Sequence, residues 1–313
     1  MKKAVVLLNM GGPNNLEEVE LFLKNMFNDE NIIPIKNRIL RKFVSFMITN
    51  ARKKEARENY EKLGGKSPIV GITEKLVEKL SSKLGDTDVT FAMRYTPPFA
   101  KDVIKELKKK DITDVYLIPL YPQYSFTTTK SSLEDFEESA KKEGMKARIH
   151  KIERFYKNEK FNETVIEKIK ECIKDIDEKE YDLIFSAHSL PKKMIEKGDP
   201  YQKEITEHVE ILKELLKKNG IEFKNIHIAY QSKLGPVEWL EPGLDDKLKE
   251  IENRKVVIYP LSFTIDNSET VYELHIEYKE IAKELGFEDY RVCECPNESD
   301  TFCEALRDIY KGM

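Results

Sequence analysis

His188 stands at the end of a short apolar run and directly before a turn sequence, Ser189-Leu190-Pro191. In parallel α/β proteins, ligands and reacting groups lie beyond the carboxyl ends of the strands. The imidazole ring titrates near neutral pH, so a histidine at such a position can take or give a proton during a reaction. A lone histidine can equally be a structural residue, and its position alone leaves both roles open.

Three glutamates, Glu269, Glu273 and Glu277, are spaced four residues apart in a stretch whose pattern predicts a helix over Glu269–Leu285. Residues at this spacing lie on one face of a helix, and an apolar stripe marks the opposite, core-facing side. Periodicity therefore favours a solvated acidic face. If that face instead lines a cleft, the same carboxylates form a ladder that can pass cations or protons.

Two loops that follow other predicted strands carry side chains typical of ligand sites. The segment 121–132 combines two tyrosines with a dense run of serines and threonines, and Gln231-Ser232-Lys233 offers donors for an anion or carboxylate. Either loop can also be purely structural, capping a helix or covering a core tryptophan. The turn Gly11-Gly12-Pro13 matches neither of the glycine patterns that bind phosphate, so we interpret it as a tight structural turn.

Short β-branched runs alternate with longer, charged amphipathic stretches along the chain. This alternation predicts an α/β fold with parallel sheets and helices on both faces. Four runs precede and four follow a break near residues 151–160, so we expect two similar doubly wound halves, residues 1–150 and 151–313. The predicted strands are Lys3–Leu8, Asp88–Met93, Asp114–Pro119, Lys146–Ile149, Asp182–Ala187, Asn225–Tyr230, Lys255–Pro260 and Tyr290–Cys293.

The composition agrees with a globular chain of this kind and excludes several functional classes. The chain has 313 residues, of which 40% are hydrophobic, and this length predicts about two domains. A net charge of −4 argues against a dedicated nucleic-acid binder. The apolar runs are far shorter than the roughly 20 residues that span a bilayer. The N-terminal segment lacks a small-residue cleavage site, so we expect a first strand rather than a signal peptide, and a cytoplasmic protein.

Seven stretches of the chain form an ordered set of motifs: LLNMGGP (7–13), NYEKLGGKSPI (59–69), YPQYSFTTTKSS (121–132), FSAHSLP (185–191), GDPY (198–201), YQSKLGPVEWLEP (230–242) and SFTIDNSETVYELHIEY (262–278). As a set they resemble the motifs of the ferrochelatases, enzymes that insert Fe²⁺ into a porphyrin. They occur in that family's order between residues 7 and 278, without a large insertion between them. An ordered set of this size is far more specific than any single motif.

The resemblance implies a fold and an activity. The chelatase fold of this family consists of two Rossmann-like halves, each with a four-stranded parallel sheet flanked by helices. Its final helix, here about 302–311, packs back on the first half. The implied reaction is insertion of Fe²⁺ into protoporphyrin IX with release of two protons, the terminal step of heme biosynthesis. Iron and porphyrin are both substrates, and no resident cofactor is implied.

The resemblance also implies roles for individual residues. His188 matches the family's catalytic histidine and Glu269 its active-site glutamate, while Glu273 and Glu277 match an acidic ladder that leads away from them. These four side chains are implied to handle the metal, and whether His188 or Glu269 takes the protons stays open. The residues implied to bind the porphyrin are Met10, Arg52, Tyr60, Arg94, Tyr124 and Ser232.

Two departures from the family pattern bear on these roles. Asn267 stands where the family usually has histidine, so one proton-relay or metal-handling residue is absent. Ala51–Glu55 keeps only part of the basic pattern implied to contact the porphyrin propionates. Met10 favours protoporphyrin, since coproporphyrin-type enzymes tend to have tyrosine there. The alternatives are a coproporphyrin-type or other tetrapyrrole chelatase and, in a different class, a cytoplasmic tetrapyrrole- or small-ligand-binding protein.

Two further features concern cofactors and partners. The chain has four cysteines, and their C-x-C-x7-C spacing with one distant residue predicts free thiols rather than a [2Fe–2S] cluster. The segment Ile32–Ile48 sets Arg38, Arg41 and Lys42 among apolar residues. Such a helix can rest on an anionic membrane surface or be half buried on its own domain. Because the net charge is −4, we expect no nucleic-acid partner. Peripheral membrane contact and the oligomeric state stay open.

Overall fold

The structure is a computed structural model that describes residues 2–233 and 235–313. Leu234, which belongs to the motif YQSKLGPVEWLEP, lies outside the described residues. The chain divides into two compact units. The first unit extends to Arg154 and also contains Leu306–Met313, and the second unit consists of Phe155–Ala305.

The first unit is built around a four-stranded sheet whose strands all run parallel. Its strands are β1 (Lys3–Asn9), β2 (Asp88–Met93), β3 (Asp114–Pro119) and β4 (Arg148–Lys151). Its helices are α1 (Glu18–Phe27), α2 (Arg38–Lys62), α3 (Ile69–Leu84), α4 (Ala100–Lys109) and α5 (Ser131–Lys142), with a π-helical turn at Phe126–Lys130 before α5. The strand order is β2-β1-β3-β4. From Ala4 to Leu8, β1 is at most 2% exposed, as expected for a parallel strand covered on both faces.

A close approach of two backbone segments ends β1. Gly11 has a φ of 84°, and a Cβ at this position would collide with Thr96 Oγ1 and with the side chain of Met93. The next residue, Gly12, donates its N–H to Thr96 Oγ1 at 3.1 Å. Only glycine fits this approach and this conformation, which agrees with the tight structural turn predicted from the sequence.

The second unit repeats the architecture. Its strands are β5 (Asp182–His188), β6 (Asn225–Gln231), β7 (Lys255–Pro260) and β8 (Asp289–Val292), in the order β6-β5-β7-β8 and all parallel. Its helices are α6 (Glu159–Ile173), α7 (Lys192–Glu196), α8 (Tyr201–Lys218), α9 (Leu244–Glu250) and α10 (Tyr278–Glu284), with α11 (Asp300–Lys311) containing the division between the units. A 3₁₀ turn covers Glu178–Glu180, and a π-helical segment, Glu269–Glu277, leads into α10.

The predicted fold class, two four-stranded parallel sheets flanked by helices, is confirmed. The fourth strand begins at Arg148 rather than Lys146, because pairing with β3 starts at Asp114 opposite Arg148. The helix predicted over Glu269–Leu285 is π-helical up to Glu277. Among residues 2–233 and 235–313, no helix combines the length and the apolar character needed to cross a membrane.

Candidate active site

His188 is the last residue of β5, and hydrogen bonds fix both its backbone and its ring. Its backbone N–H donates to the Ser262 hydroxyl at 2.8 Å, and its carbonyl oxygen accepts from the Tyr201 hydroxyl at 3.0 Å. Nδ1 of the ring lies 2.6 Å from Glu269 Oε2. Within the described part of the chain no group hydrogen-bonds Nε2. Nε2 is therefore the ring nitrogen available to a substrate.

His188 and Glu269 stabilise each other's charged forms. Burial disfavours the imidazolium, but the charge of Glu269, its hydrogen bond and the charge of Glu273 outweigh burial and raise the pKa of His188. Burial also disfavours the Glu269 carboxylate, yet His188 and Ser232 together lower the pKa of Glu269. His188 is therefore a stronger base in this pair than a histidine in water.

Glu269 is the first residue of the π-helical segment, and Asn267 holds the start of that segment. In a π-helix each N–H bonds the carbonyl five residues earlier, and such segments are frequent at functional sites. The Asn267 side-chain oxygen accepts from the Glu269 N–H at 2.8 Å, and its amide nitrogen donates to the Ile265 carbonyl at 3.1 Å. Because Asn267 is buried, these bonds fix where the Glu269 side chain begins.

Glu273 lies beside Glu269, and Ser232 connects the two carboxylates. Ser232 Oγ donates to Glu269 Oε2 at 2.7 Å and also hydrogen-bonds Glu273 Oε2. The Ser232 N–H donates to Glu273 Oε1 at 2.7 Å. Burial and the neighbouring charge of Glu269 raise the pKa of Glu273 to about 7. The structure thus joins His188, Glu269, Glu273 and Ser232 in one network, whereas Glu277 is exposed.

Arg94, which follows β2 in the first unit, holds its guanidinium among acidic groups. Nη2 lies 3.0 Å from Asp29 Oδ2, Nη1 lies 3.4 Å from Asp135 Oδ1, and Nε donates to the Ser131 hydroxyl at 2.9 Å. Burial disfavours the guanidinium charge, but Asp135 and Asp29 outweigh burial and raise the pKa of Arg94. Arg94 therefore has structural partners in the first unit that the sequence did not predict.

The other residues implied to contact the porphyrin lie at separate places in the first unit. Met10 follows β1 and is half-buried. Tyr60 lies near the end of α2 and is buried, and Tyr124 is half-buried in the loop after β3. Arg52 in α2 is partly exposed, with its Nη2 3.6 Å from Glu55 Oε1. Arg52 and Tyr124 thus keep surface with which a substrate can make contact.

The implied metal residues do not form a preformed cage. Within residues 2–233 and 235–313, no group of three or more histidine, cysteine, aspartate or glutamate side chains has the arrangement of a metal site. His188 instead bonds to Glu269, and Ser232 bonds to both Glu269 and Glu273. A metal that is taken up and passed on in each turnover does not need a closed set of ligands, and the metal role of these residues stays a prediction.

Comparison with known proteins decides the family. The model of the family described as Ferrochelatase matches residues 2–313. The chain belongs to the ferrochelatase family. A protein named ferrochelatase from a Nitratiruptor species is 62% identical over 311 residues, which cover 99% of this chain and all of that protein. A ferrochelatase from Helicobacter pylori is 45% identical over 313 residues, which cover all of this chain and 93% of that protein.

Solved structures of chelatases share the fold at low sequence identity. SirB from Bacillus subtilis, solved with Fe³⁺, has a TM-score of 0.58 and 12% identity, covering 99% of this chain and 95% of that one. CbiX, described as the terminal enzyme of siroheme biosynthesis in denitrifying bacteria, has a TM-score of 0.56 and 10% identity, covering 100% and 99% of the two chains. At these identities the likeness concerns the fold alone, and it confirms the chelatase architecture.

Membership of the ferrochelatase family confirms the resemblance read from the motifs and the assignment of the chain as an enzyme. Three residues hold the reacting side chains in place: sequence reasoning missed Ser262 and Tyr201, and it named Gln231 only as a donor for an anion or carboxylate ligand. Gln231 Nε2 donates to the Glu269 carbonyl at 3.2 Å and to Glu273 Oε2 at 3.3 Å. Each of the three lies within a motif shared with the family, and that shared position is the signal that could have found them.

Proposed function

We propose that this chain inserts Fe²⁺ into protoporphyrin IX, releases two protons and forms protoheme, the terminal step of heme biosynthesis. The observation that carries the proposal is the His188–Glu269 pair at the carboxyl end of β5, which uses Nδ1 and leaves Nε2 for a substrate. Family membership supports the same activity, since relatives at 45% to 62% identity over nearly their whole length are named ferrochelatase.

The geometry supports separate roles for His188, Glu269 and Glu273 in removing the protons of the porphyrin. A free-base porphyrin must lose two pyrrole protons before its nitrogens can bind iron. Nε2 of His188 is placed to accept one of these protons as a general base. Glu269 favours the resulting imidazolium, because its carboxylate lies 2.6 Å from Nδ1. Glu273, whose pKa is raised to about 7, can hold or release a further proton at neutral pH.

Three residues of the first unit bear on which porphyrin is bound and how it is held. Met10 supports protoporphyrin over coproporphyrin, because coproporphyrin-type enzymes tend to have tyrosine at this position. Arg52 supports a propionate contact, because its guanidinium is partly exposed and only loosely paired, 3.6 Å from Glu55. Arg94 is already paired with Asp29, which supports a role in holding the first unit together.

Anaerobic incubation with Fe²⁺ and a free-base tetrapyrrole tests the proposal through the loss of free-base fluorescence. We expect the fastest insertion with protoporphyrin IX, compared with coproporphyrin III and sirohydrochlorin. Faster insertion with coproporphyrin III or sirohydrochlorin favours a chelatase for that tetrapyrrole. Tight binding without insertion identifies a tetrapyrrole-binding protein. Either of these results rejects protoporphyrin IX as the substrate.

We also propose that the enzyme works without a resident cofactor. None of its four cysteines is disulfide-bonded; Cys293, Cys295 and Cys303 are buried, and Cys172 is half-buried. Their spacing does not match the runs that typically hold iron–sulfur clusters. Protein purified anaerobically should be colourless beyond 400 nm, and an iron–sulfur absorbance band there would contradict this proposal.

We further propose that the start of α2 rests on an anionic membrane surface at the periphery of a cytoplasmic enzyme. Five large apolar residues at the start of α2 have side chains that are at least 51% exposed: Ile39, Leu40, Phe43, Phe46 and Met47. Lys36, Arg38 and Lys42 are exposed beside them, and apolar area flanked by positive charge is typical of interfacial helices. Arg41, predicted as part of the basic set, instead pairs with Glu30 at 2.9 Å.

Sedimentation with lipid vesicles tests this surface. We expect binding to vesicles that contain phosphatidylglycerol, weaker binding to pure phosphatidylcholine, and loss of binding in the double variant Phe43→Ser, Phe46→Ser. Val237→Ser is the matched control, because Val237 is an exposed apolar residue outside α2. Equal binding of wild type and the α2 variant would reject the proposed surface.

A further inference from the structure

Ser232 has a backbone conformation that is uncommon for a residue with a side chain. Its φ of 64° lies in the left-handed region, where a Cβ costs energy. Since β6 ends at Gln231, this φ turns the chain immediately after the strand, and the Ser232 N–H donates to Glu273 Oε1 at 2.7 Å. Strained residues cluster at functional sites, and here the strained residue donates to a carboxylate of the candidate site.

The Ser232 hydroxyl bridges two carboxylates. Oγ lies 2.7 Å from Glu269 Oε2 and also hydrogen-bonds Glu273 Oε2. Glu269 Oε2 is the same atom that lies 2.6 Å from His188 Nδ1. The Ser232 hydroxyl therefore acts directly on the carboxylate that partners His188.

Gln231 anchors Ser232 to the sheet. Gln231 is fully buried and lies opposite His188 in the pairing of β5 with β6. Its Oε1 accepts from the Ser186 hydroxyl at 2.6 Å, and its Nε2 donates to the Glu269 carbonyl at 3.2 Å. Because both ends of the Gln231 amide are bonded, Ser232 extends from a fixed strand end.

We propose that Ser232 is a positioning residue that holds Glu269 and Glu273 together, so that Glu269 stays on Nδ1 of His188. This inference rests on the proposed function, iron insertion, and it replaces the contact with porphyrin that the family resemblance implied for Ser232. Without the hydroxyl, the two carboxylates face each other and repel, and Glu269 is free to rotate away from His188. A displacement of about 1 Å at a reacting group can lower the rate by about 10²-fold.

The variant Ser232→Gly separates the hydroxyl from the backbone, because glycine adopts a positive φ without strain and keeps the N–H. We expect kcat for Fe²⁺ insertion to fall about 10- to 100-fold. The KM for protoporphyrin, and its Kd from fluorescence titration without iron, should stay within about twofold. Ser189→Ala is the matched control and should keep the wild-type kcat. The Ser189 hydroxyl lies one residue from His188 and has no hydrogen-bond partner among the described residues.

Two outcomes overturn the inference. A rise in KM with unchanged kcat would make Ser232 a porphyrin contact, and unchanged kcat and KM would remove it from the site. Ser232→Ala, which lacks the hydroxyl but keeps a Cβ, serves as the second variant if Ser232→Gly lowers the melting temperature. Failure of the wild-type chain to insert iron counts against the proposed function instead, whereas an active wild type with an unaffected Ser232→Gly counts against the positioning role alone.

Discussion

Two histidine–carboxylate pairs lie at opposite ends of the sheet in the second unit. At the carboxyl end, His188 Nδ1 lies 2.6 Å from Glu269 Oε2. At the amino end, His227 Nε2 lies 2.9 Å from Asp182 Oδ2. The two pairs contain the same chemical groups at similar distances, so a histidine–carboxylate pair alone does not distinguish a reacting site from a structural one.

The surroundings of the two carboxylates differ. Asp182 is 2% exposed, and its Oδ1 accepts from the side-chain amides of Asn225 and Asn253, both at 3.0 Å. Both oxygens of this single carboxylate are therefore bonded, as buried polar groups in a stable fold usually are. Glu269 instead shares its surroundings with a second carboxylate, Glu273. Placing two acids together raises the pKa of one of them, an arrangement typical of reacting sites.

The first unit contains another pair of the structural kind. Asp114, the first residue of β3, lies 3.2 Å from His150 Nε2 and 2.9 Å from Arg148 Nη2. In each sheet the aspartate pairs with a residue of the neighbouring strand, and the histidine stands two positions after that residue. His150 thus follows Arg148, and His227 follows Asn225. A bonded aspartate–histidine pair thus occurs at the amino end of the sheet in both units, whereas the network with two glutamates, Glu269 and Glu273, lies at His188.

The largest expected difference is between alanine substitutions of the two histidines in the second unit. His188→Ala removes the general base and should lower the rate of iron insertion by about 10²- to 10⁴-fold. His227→Ala should stay within a few-fold of wild type, because the ring of His227 bonds to Asp182 at the amino end of the sheet. The measurement is anaerobic turnover with protoporphyrin, with melting temperatures in parallel. Similar losses in both variants would remove the distinction between the two ends of the sheet.

Glu269→Gln should have the next largest effect. It keeps a side chain of the same size but removes the charge that favours the imidazolium, so we expect turnover to fall about 10²- to 10³-fold while porphyrin binding survives. Glu269 also raises the pKa of His188, so the acidic limb of the pH profile of kcat/KM should move to lower pH. Glu280→Gln, a change at an exposed glutamate on α10, is the control. Full activity of Glu269→Gln would mean that the charge of Glu269 takes no part in the reaction.

Glu273→Gln should lower turnover by about tenfold, less than Glu269→Gln, because Glu273 acts on His188 through its charge, whereas Glu269 also hydrogen-bonds the ring. The same substitution lowers turnover but should stabilise the fold at neutral pH. Since the pKa of Glu273 is raised from 4.5 to about 7, ionising it costs the wild type stability as pH rises from about 4.5 to about 7. In urea unfolding, the stability of the variant relative to the wild type should therefore increase between pH 5 and pH 8. An equal pH dependence of both proteins would contradict the raised pKa.

Asp182→Asn should leave turnover within a few-fold of wild type and destabilise the fold. The substitution places an amide among groups that donate to a buried carboxylate, and the lost charge-assisted hydrogen bonds should cost about 1–3 kcal/mol in the free energy of unfolding. Urea unfolding and turnover of the same preparation measure both effects. A large loss of turnover at unchanged stability would place catalytic chemistry at the amino end of the sheet.

The sequence predicts the elements of this fold because each carries a local signal. The run before His188 forms the buried strand β5, and the alternation of strands and helices is that of the two parallel sheets. The four-residue spacing of Glu269 and Glu273 also indicates neighbouring carboxylates. Spacing does not reveal that these residues lie in a π-helix, since apolar periodicity does not distinguish closely related helices.

The rest of the candidate site depends on contacts between residues far apart in the chain. The positive φ of Ser232 and the partners of Arg94, which come from Asp29, Ser131 and Asp135, have no local signature. The exposure of the apolar residues at the start of α2 likewise depends on which face the unit leaves uncovered. Such features require the folded chain, because they result from tertiary packing rather than from local pattern.

Chemical rescue of His188→Ala by imidazole tests most directly the claim that the ring of His188 accepts the pyrrole proton. The substitution leaves a space beside Glu269 that free imidazole can enter. We expect added imidazole to restore part of the anaerobic turnover, with the gain increasing as pH rises and more of the imidazole is neutral. Turnover of His188→Ala within a few-fold of wild type before imidazole is added would contradict the claim. So would equal acceleration of Glu269→Gln, in which the ring of His188 is still present.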